Sequence, residues 1–315
     1  MSLDLVILSL VAVFGLCFGS FFNVVILRGL SGESIVFPGS KCPKCGNSLK
    51  WWQNIPVISY LLLRGKCGFC KEKISIQYPI IELVTMCIFM VTYWRWGIDC
   101  KTLFITGYFS LFLITAVTDL KERVILTRHA YFLAGLGLIY AILGGFNPDY
   151  IINEGQNPVI MSIVGVLVGV VVMELLARVG YVLAGQRAFG EGDSYIAGAL
   201  GAILGAKYIL WVLLAGFVIQ FVVSLPLFLF NLIKTERAKV ALELILFLAL
   251  AGLMWFYGQT LGETIYFCAV GLLVIMALHL ARNILTNIKT PSNVTYLPYV
   301  PALVIAAIAV IWQVY

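Results

Sequence analysis

Apolar residues run along this chain in long unbroken stretches, without the three-or-four-residue rhythm of a half-wet helix or the alternation of a half-buried strand. Ten such stretches stand out, at about 4–27, 79–98, 102–119, 129–146, 158–184, 194–206, 208–232, 240–257, 264–281 and 297–314. About 20 apolar residues cross a hydrocarbon layer about 30 Å thick, so the pattern predicts an all-α polytopic membrane protein with about ten transmembrane helices. The sixth stretch is short for a crossing. It is counted because Gly198, Gly201 and Gly205, interleaved with Ala197, Ala199 and Ala202, give the small-residue face on which membrane helices approach closely. Packing is the plain reading of those glycines.

Composition agrees: 62% of the 315 residues are hydrophobic and 11% are charged, where an ordinary soluble domain has about 25% charged. The cations then give sidedness. Connections after the odd-numbered stretches hold Lys41 to Lys73, then Lys121, Arg123 and Arg128, then Arg187, then Lys234, Arg237 and Lys239, then Arg282 and Lys289. The opposite connections hold Lys101 and Lys207, with Arg95 nearby. The positive-inside rule makes the first set cytoplasmic, which puts both termini outside. The net charge of +6 therefore reflects topology, and no nucleic-acid partner is expected. No cation precedes the first stretch, whereas Arg28 follows it, so an uncleaved first helix is expected.

The first cytoplasmic connection is the one sizeable polar segment. In it lie Cys42-x2-Cys45, 21 further residues, and Cys67-x2-Cys70. Four thiolates in two such pairs suit a tetrahedral structural zinc. A piece of about 50 residues buries too little surface to fold by itself, and a metal staple is the usual remedy. Two disulfides are the competing reading, disfavoured on the reducing side of the membrane. Cys17, Cys87, Cys100 and Cys268 are scattered in or near apolar stretches and read as packing residues. The expected division is a first helix over 1–28, a cytoplasmic zinc-binding module over 29–78, and a transmembrane domain over 79–315.

Carboxylates inside or at the edge of a bilayer are expensive and are functional candidates by default. Here they are Glu82, Asp119, Glu174, Asp193 and Glu243. Asp119 closes the third stretch and Asp193 opens the sixth, in "FGEGDSYIAG", so parity places both on the cytoplasmic face. Two adjacent carboxylates share a proton: the ionised one can deprotonate a water while the protonated one polarises a carbonyl, which is peptide hydrolysis by general acid–base catalysis. Gly190 and Gly192 would let the backbone of the active-site loop come close. Helix capping by Asp193 is the structural alternative. Motifs for zinc or serine hydrolysis are missing, since the two histidines, His129 and His279, are far apart and Ser194 sits in "GDSYI". A polytopic transporter relaying protons through Asp119 and Asp193 is the reading from another class, and no inverted repeat of the kind such proteins carry is found.

These residues resemble a known family. "FGSFFNVVILR", "GESIVFPGSKCPKC", "NIPVISYLLLRGKCGFC", "ISIQYPIIE", "TDL" at Asp119, "GEGDSYIAGALGAILG" and "LPYVPAL" occur in the order found in type IV prepilin peptidases, members of the GxGD group of intramembrane aspartic proteases. The resemblance implies an enzyme that removes the basic leader of prepilins and pseudopilins at the cytoplasmic face, with Asp119 and Asp193 catalytic. For members with the four-cysteine module it also implies N-methylation of the new amino terminus from S-adenosylmethionine, for which no residues are assigned. The chain departs from the family pattern with Leu126 and Thr127 after the first aspartate, Gln77 where Arg is common, and Pro298-Tyr299-Val300-Pro301 in the last helix. A hairpin at about 240–281 is extra to the pattern.

Overall fold

A computed structural model describes residues 3–144, 157–184, 189–234, 238–257 and 298–315, with five more positions between 272 and 279. The described chain is helical: α1 Leu3–Ser31, α2 Ile58–Leu62, α3 Gln77–Trp96, α4 Cys100–Glu122, α5 Thr127–Ile142, α6 Pro158–Ala184, α7 Glu191–Lys234, α8 Ala238–Tyr257 and α9 Val300–Val314, with a 3₁₀ turn at Trp51–Asn54. No strand forms among these residues; extended pairing is limited to two isolated bridges, Lys41 with Ser48 and Lys66 with Lys73.

Two helix pairs close on glycine. In α1, Gly15 and Gly19 face α3 so tightly that an added Cβ would lie 2.7 Å from Met86 Cα or 2.6 Å from Glu82 Cα. Their four-residue spacing is the small-xxx-small signature, and the reversed order of the partners makes the pair antiparallel. The second pair is α6 with α7. A Cβ on Gly165 would meet the Gly201 carbonyl oxygen at 2.1 Å, and one on Gly201 would meet the Gly165 oxygen at 2.0 Å. The packing role expected of Gly201 is thus what the structure gives it.

α7 is not one rod. Gly205 interrupts it with φ 70° and ψ 173°, a backbone state that a side chain would resist. Phe189, just before the helix, and Phe217, past the break, have ring centroids 5.4 Å apart. A continuous helix would hold these residues about 40 Å apart, so the chain reverses at Gly205 and the two arms lie side by side. Two helical arms thus lie where the sequence has two apolar stretches, and the glycine marks the joint.

Helices α4, α5, α6, α7 and α9 share one buried core that includes Ile105, Tyr108, Phe112, Leu133, Met173, Ile203 and Leu303. One end of α9 is anchored where Tyr315 O accepts from Trp96 Nε1 at 3.0 Å and from Lys101 Nζ. Arg95 lies over the rings of Trp96 and Trp312. This end of the bundle therefore gathers Arg95 and Lys101, and the Tyr315 hydroxyl reaches Ile203 O, two residues before the α7 joint.

Among the described residues, four stretches are long and apolar enough to cross a membrane: Asp4–Ser31, Cys100–Glu122, Pro158–Val179 and Glu191–Leu227. Leu242–Ala251 and Val300–Val314 are shorter apolar helices. The count of ten crossings is therefore not confirmed. The expected ninth stretch, 264–281, lies almost wholly outside the described residues, as do Arg187, Arg237, Cys268, Arg282 and Lys289. Of the expected extra hairpin, α8 is described.

Candidate active site and metal centre

Asp119 stands near the end of α4 and Asp193 in the first turn of α7, and both are buried, at 5% and 9% exposure. Helix α4 stops at Arg123, whose left-handed φ of 55° and N–H bond to Asp119 O turn the chain away. The carboxylates lie within electrostatic range of each other, and Arg123 within range of Asp119. Three chain segments thus converge. Val300 N–H, at the start of α9, donates to Asp119 Oδ2 at 3.2 Å. Gly190 N–H donates to Asp193 Oδ2 at 2.9 Å. Each aspartate has one oxygen held by a backbone amide, which leaves Oδ1 for other partners.

The glycines of the loop have separate tasks. Gly190 supplies the amide that Asp193 accepts. Gly192 carries no side chain because one would strike Ile125, whose Cβ would be 2.7 Å away. Ile125 belongs to the short link between α4 and α5, so this contact stacks the two aspartate-bearing turns on one another. Asp193 is not the residue that caps α7. It sits inside the first turn and reaches back to Gly190, as the third residue of a capping box does, so its one bonded oxygen has a structural duty as well.

Around the pair, Ser194 Oγ donates to Glu174 Oε1 at 3.1 Å, and Arg178 Nε stands 4.0 Å from Glu174 Oε2. Tyr299 stacks on Phe217 at 5.1 Å and packs against Phe189 at 5.2 Å, and its hydroxyl donates to Leu213 O at 3.3 Å. Glu82 is occupied elsewhere, its Oε2 accepting from Val57 N–H at 2.7 Å. Glu243 lies in the first half of α8, half-buried. Sequence reading missed Val300, Ile125 and the aromatic trio. A signal for Val300 existed: Pro301 at a helix start means that first-turn amides point outward without helical partners.

The four cysteines form a second centre. Cys42, Cys45, Cys67 and Cys70 are free thiols with all four Sγ atoms within 4.8 Å of one another, and Cys42 Sγ lies 3.9 Å from Cys70 Sγ. A tetrahedral zinc with bonds of about 2.3 Å would space its sulfurs about 3.8 Å apart, so the donor set fits that ion. The two loops repeat one hydrogen-bond scheme. Cys42 N–H donates to Asn47 O and Gly46 N–H to Cys42 O; Cys67 N–H donates to Glu72 O and Lys71 N–H to Cys67 O. Gly46 and Lys71 fill the same position with φ of 71° and 60°. Amides of Cys70 and Phe69 pull the Cys67 thiol down to about 7, toward the thiolate a metal needs. Gln53, buried at 7% exposure, belongs to the 3₁₀ turn and caps it by accepting from Lys50 N–H at 2.8 Å.

Comparison with known proteins matches the chain in two parts. Residues 13–96 match the bacterial peptidase A24 N-terminal domain, and residues 104–225 match the type IV leader peptidase family. A prepilin leader peptidase/N-methyltransferase of Neisseria gonorrhoeae is 38% identical over 236 residues, covering 64% of this chain and 77% of that protein. The protein of the same description from Myxococcus xanthus is 34% identical over 204 residues, and there the match spans 57% of the relative's length and 64% of this chain. A third, from Pseudomonas putida, is 28% identical over 286 residues, 82% of this chain and 92% of the relative. No solved structure matches the chain. With both halves of the pattern matched in order, the chain belongs to the type IV leader peptidase family.

Proposed function

We propose that this protein is a membrane-embedded aspartic endopeptidase that cuts the basic leader from prepilins or pseudopilins at the cytoplasmic edge of the membrane. The observation that carries this reading is the convergence of Asp119 and Asp193, each with one oxygen tied by a backbone amide. Where two carboxylates feel each other, ionising both is disfavoured, so one keeps a proton while the other is ionised. In the reaction the ionised carboxylate takes a proton from a water, whose oxygen adds to the scissile carbonyl carbon. The protonated carboxyl hydrogen-bonds the carbonyl oxygen and stabilises the charge that forms there. A proton then passes to the departing amine as the C–N bond breaks. A basic leader fits a site at that edge because cations remain favourable beside anionic headgroups while the apolar helix stays in lipid.

The relatives' names join this activity to N-methylation. The same is proposed for this chain, with S-adenosylmethionine as methyl donor and the zinc-bound cysteine module as the region most needed for it. The zinc is structural in this reading, because four thiolates leave no open position for a substrate.

Co-expression with a prepilin, followed by mass spectrometry of the product, tests both halves at once, since leader loss and methyl addition are separate mass changes. The expected result is cleaved and methylated pilin. An intact leader in the presence of a well-folded, membrane-inserted enzyme would overturn the peptidase reading, and a cleaved but unmethylated product would overturn the second.

A further inference from the structure

Between the two cysteine pairs the chain does something that a water-facing zinc module does not require. Trp51 is 80% exposed, and Ile58, Leu61 and Leu62 are 53%, 67% and 69% exposed. The last three are spaced i, i+3, i+4, so they form one patch on α2. The inner side of this helix is spoken for: Tyr60 lies against Gly65 and Leu63 reaches Gly68.

The height of this patch is fixed. Val57, the residue before α2, gives its N–H to Glu82 Oε2, and Glu82 is in the second turn of α3 and abuts Gly19 of α1. Val57 holds φ 58° there, a conformation that β-branched residues avoid, so the bond sets where α2 begins. At this level Ile76, which precedes α3, and Ile80 in its first turn are also exposed, at 65% and 48%. The apolar face of α2 therefore continues the exposed apolar face at the start of α3, which packs against α1, one of the stretches long and apolar enough to cross a membrane.

The charge of the module matches one partner. Its residues 29–78 hold seven cations, Lys41, Lys44, Lys50, Arg64, Lys66, Lys71 and Lys73, against Glu33 and Glu72. All seven are exposed, and among the described residues none of them makes an ion pair. Lys50 directly precedes Trp51, and Arg64 stands two residues past Leu62, so cations bracket the patch. Apolar and aromatic residues on one side with cations at the rim are the composition of a helix lying in an interface.

We infer that α2 lies in the headgroup layer of an anionic bilayer, with Trp51, Ile58, Leu61 and Leu62 at the acyl boundary and the bracketing cations on lipid phosphates, so that the zinc module is seated on the membrane. The inference is independent of the catalytic reading. It is tested with the full chain in nanodiscs, carrying the photoreactive benzoylphenylalanine at position 62 or, as a control in the first cysteine loop, at position 47. The expected result is a lipid adduct from position 62 about fivefold above that from position 47. Amide exchange over 51–64 should also be about threefold slower in phosphatidylglycerol than in phosphatidylcholine. The pair Lys50→Glu and Arg64→Glu changes exposed residues only; with zinc content unchanged, it should remove that lipid dependence. Adducts to a co-reconstituted prepilin or to a second copy, equal labelling at 62 and 47, or exchange indifferent to headgroup charge would each overturn it.

Discussion

The bundle around α7 and the cysteine module hold their shapes by different means. In the bundle, backbone lies on backbone: Gly165 and Gly201 leave no room for a methyl group, and Ala197, Leu200, Ile203 and Leu204 are fully buried. The module buries two of its cysteines and Gln53 while leaving Trp51, Leu61 and Leu62 outside. One region is positioned by density, which is intolerant of added volume. The other is positioned by four sulfurs and by a few hydrogen bonds to Glu82 and from Asn23 and Arg28, which depend on the chemistry of those few groups. In the proposed reading, each region's activity should fail through its own kind of support.

The largest effect tests the aspartates. Asp119→Asn and Asp193→Asn should each lower leader cleavage by about 10²–10⁴-fold, the range for losing a positioned acid or base, with zinc content unchanged. Asn keeps an oxygen to accept from Gly190 or Val300, so the fold should survive. The double variant should be scarcely worse than either single one, since the two act as a unit. A cleavage time course in detergent checks this, and near-normal turnover by Asp193→Asn would leave that residue with its capping duty alone.

Next comes the metal. Cys42→Ser or Cys67→Ser should release zinc and open the segment from Pro38 to Tyr78 to proteolysis, because binding and folding are coupled in such modules. Methylation should drop at least tenfold, as expected for loss of a structural metal, while cleavage keeps most of its rate. Acid should act in the same direction. Amides of Cys70 and Phe69 lower the Cys67 thiol to about 7 while Cys70 is raised to about 11, so metal must displace protons from the cluster and loses ground to them as pH falls. Metal analysis after dialysis at pH 5 against pH 8 reads this, and equal retention would refute it.

A mirror experiment adds volume to the bundle. Gly201→Val must push two backbones away from each other and should cost about 1–3 kcal/mol or more, seen as a lower thermal midpoint in detergent. Cysteine-bound zinc should be retained at temperatures that unfold the bundle. Loss of zinc in step with the bundle would mean that the two regions are one cooperative unit.

The smallest effect is a gain. Lys71 holds a left-handed φ of 60° where the sister loop has Gly46, at a cost of about 1 kcal/mol. Lys71→Gly should recover some of that cost and tighten zinc about two- to fivefold in competition with a chromophoric chelator. Unchanged or weaker binding would show that the lysine's other contact, Nζ to Gly68 O at 3.3 Å, is worth as much as the strain.

What could be read from the sequence follows from how far each signal reaches. The cysteine spacing is a local constraint on a short loop, and the four sulfurs meet as that spacing implies. That Asp119 and Asp193 come together was expected from the ends of two apolar stretches, and both are buried within electrostatic range of each other. The partners of those aspartates were not expected. Val300 is 181 residues from Asp119, and no periodicity says which helix start faces which carboxylate. Gly15 and Gly19 carried a readable spacing that was passed over, because the first apolar stretch was read for its length alone. The count of crossings was the weakest inference, since hydropathy cannot tell a bundle helix of 16 or 20 residues, such as α5 or α3, from one that spans fully.

The joint at Gly205 gives α7 arms of unequal reach. From Glu191 to Leu204 the first arm rises about 20 Å, whereas from Ala206 to Lys234 the second rises about 42 Å, and the two are level at Phe189 and Phe217. The short arm ends partway along the long one, with Asp193 at its tip. Beyond that tip the long arm runs on without its partner arm, so Asp193 stands at the free end of a short lever whose pivot is the glycine. Moving the joint by one residue would shift that carboxylate about 1.5 Å along the arm and turn it about 100°, so a single backbone angle sets both the reach and the facing of Asp193.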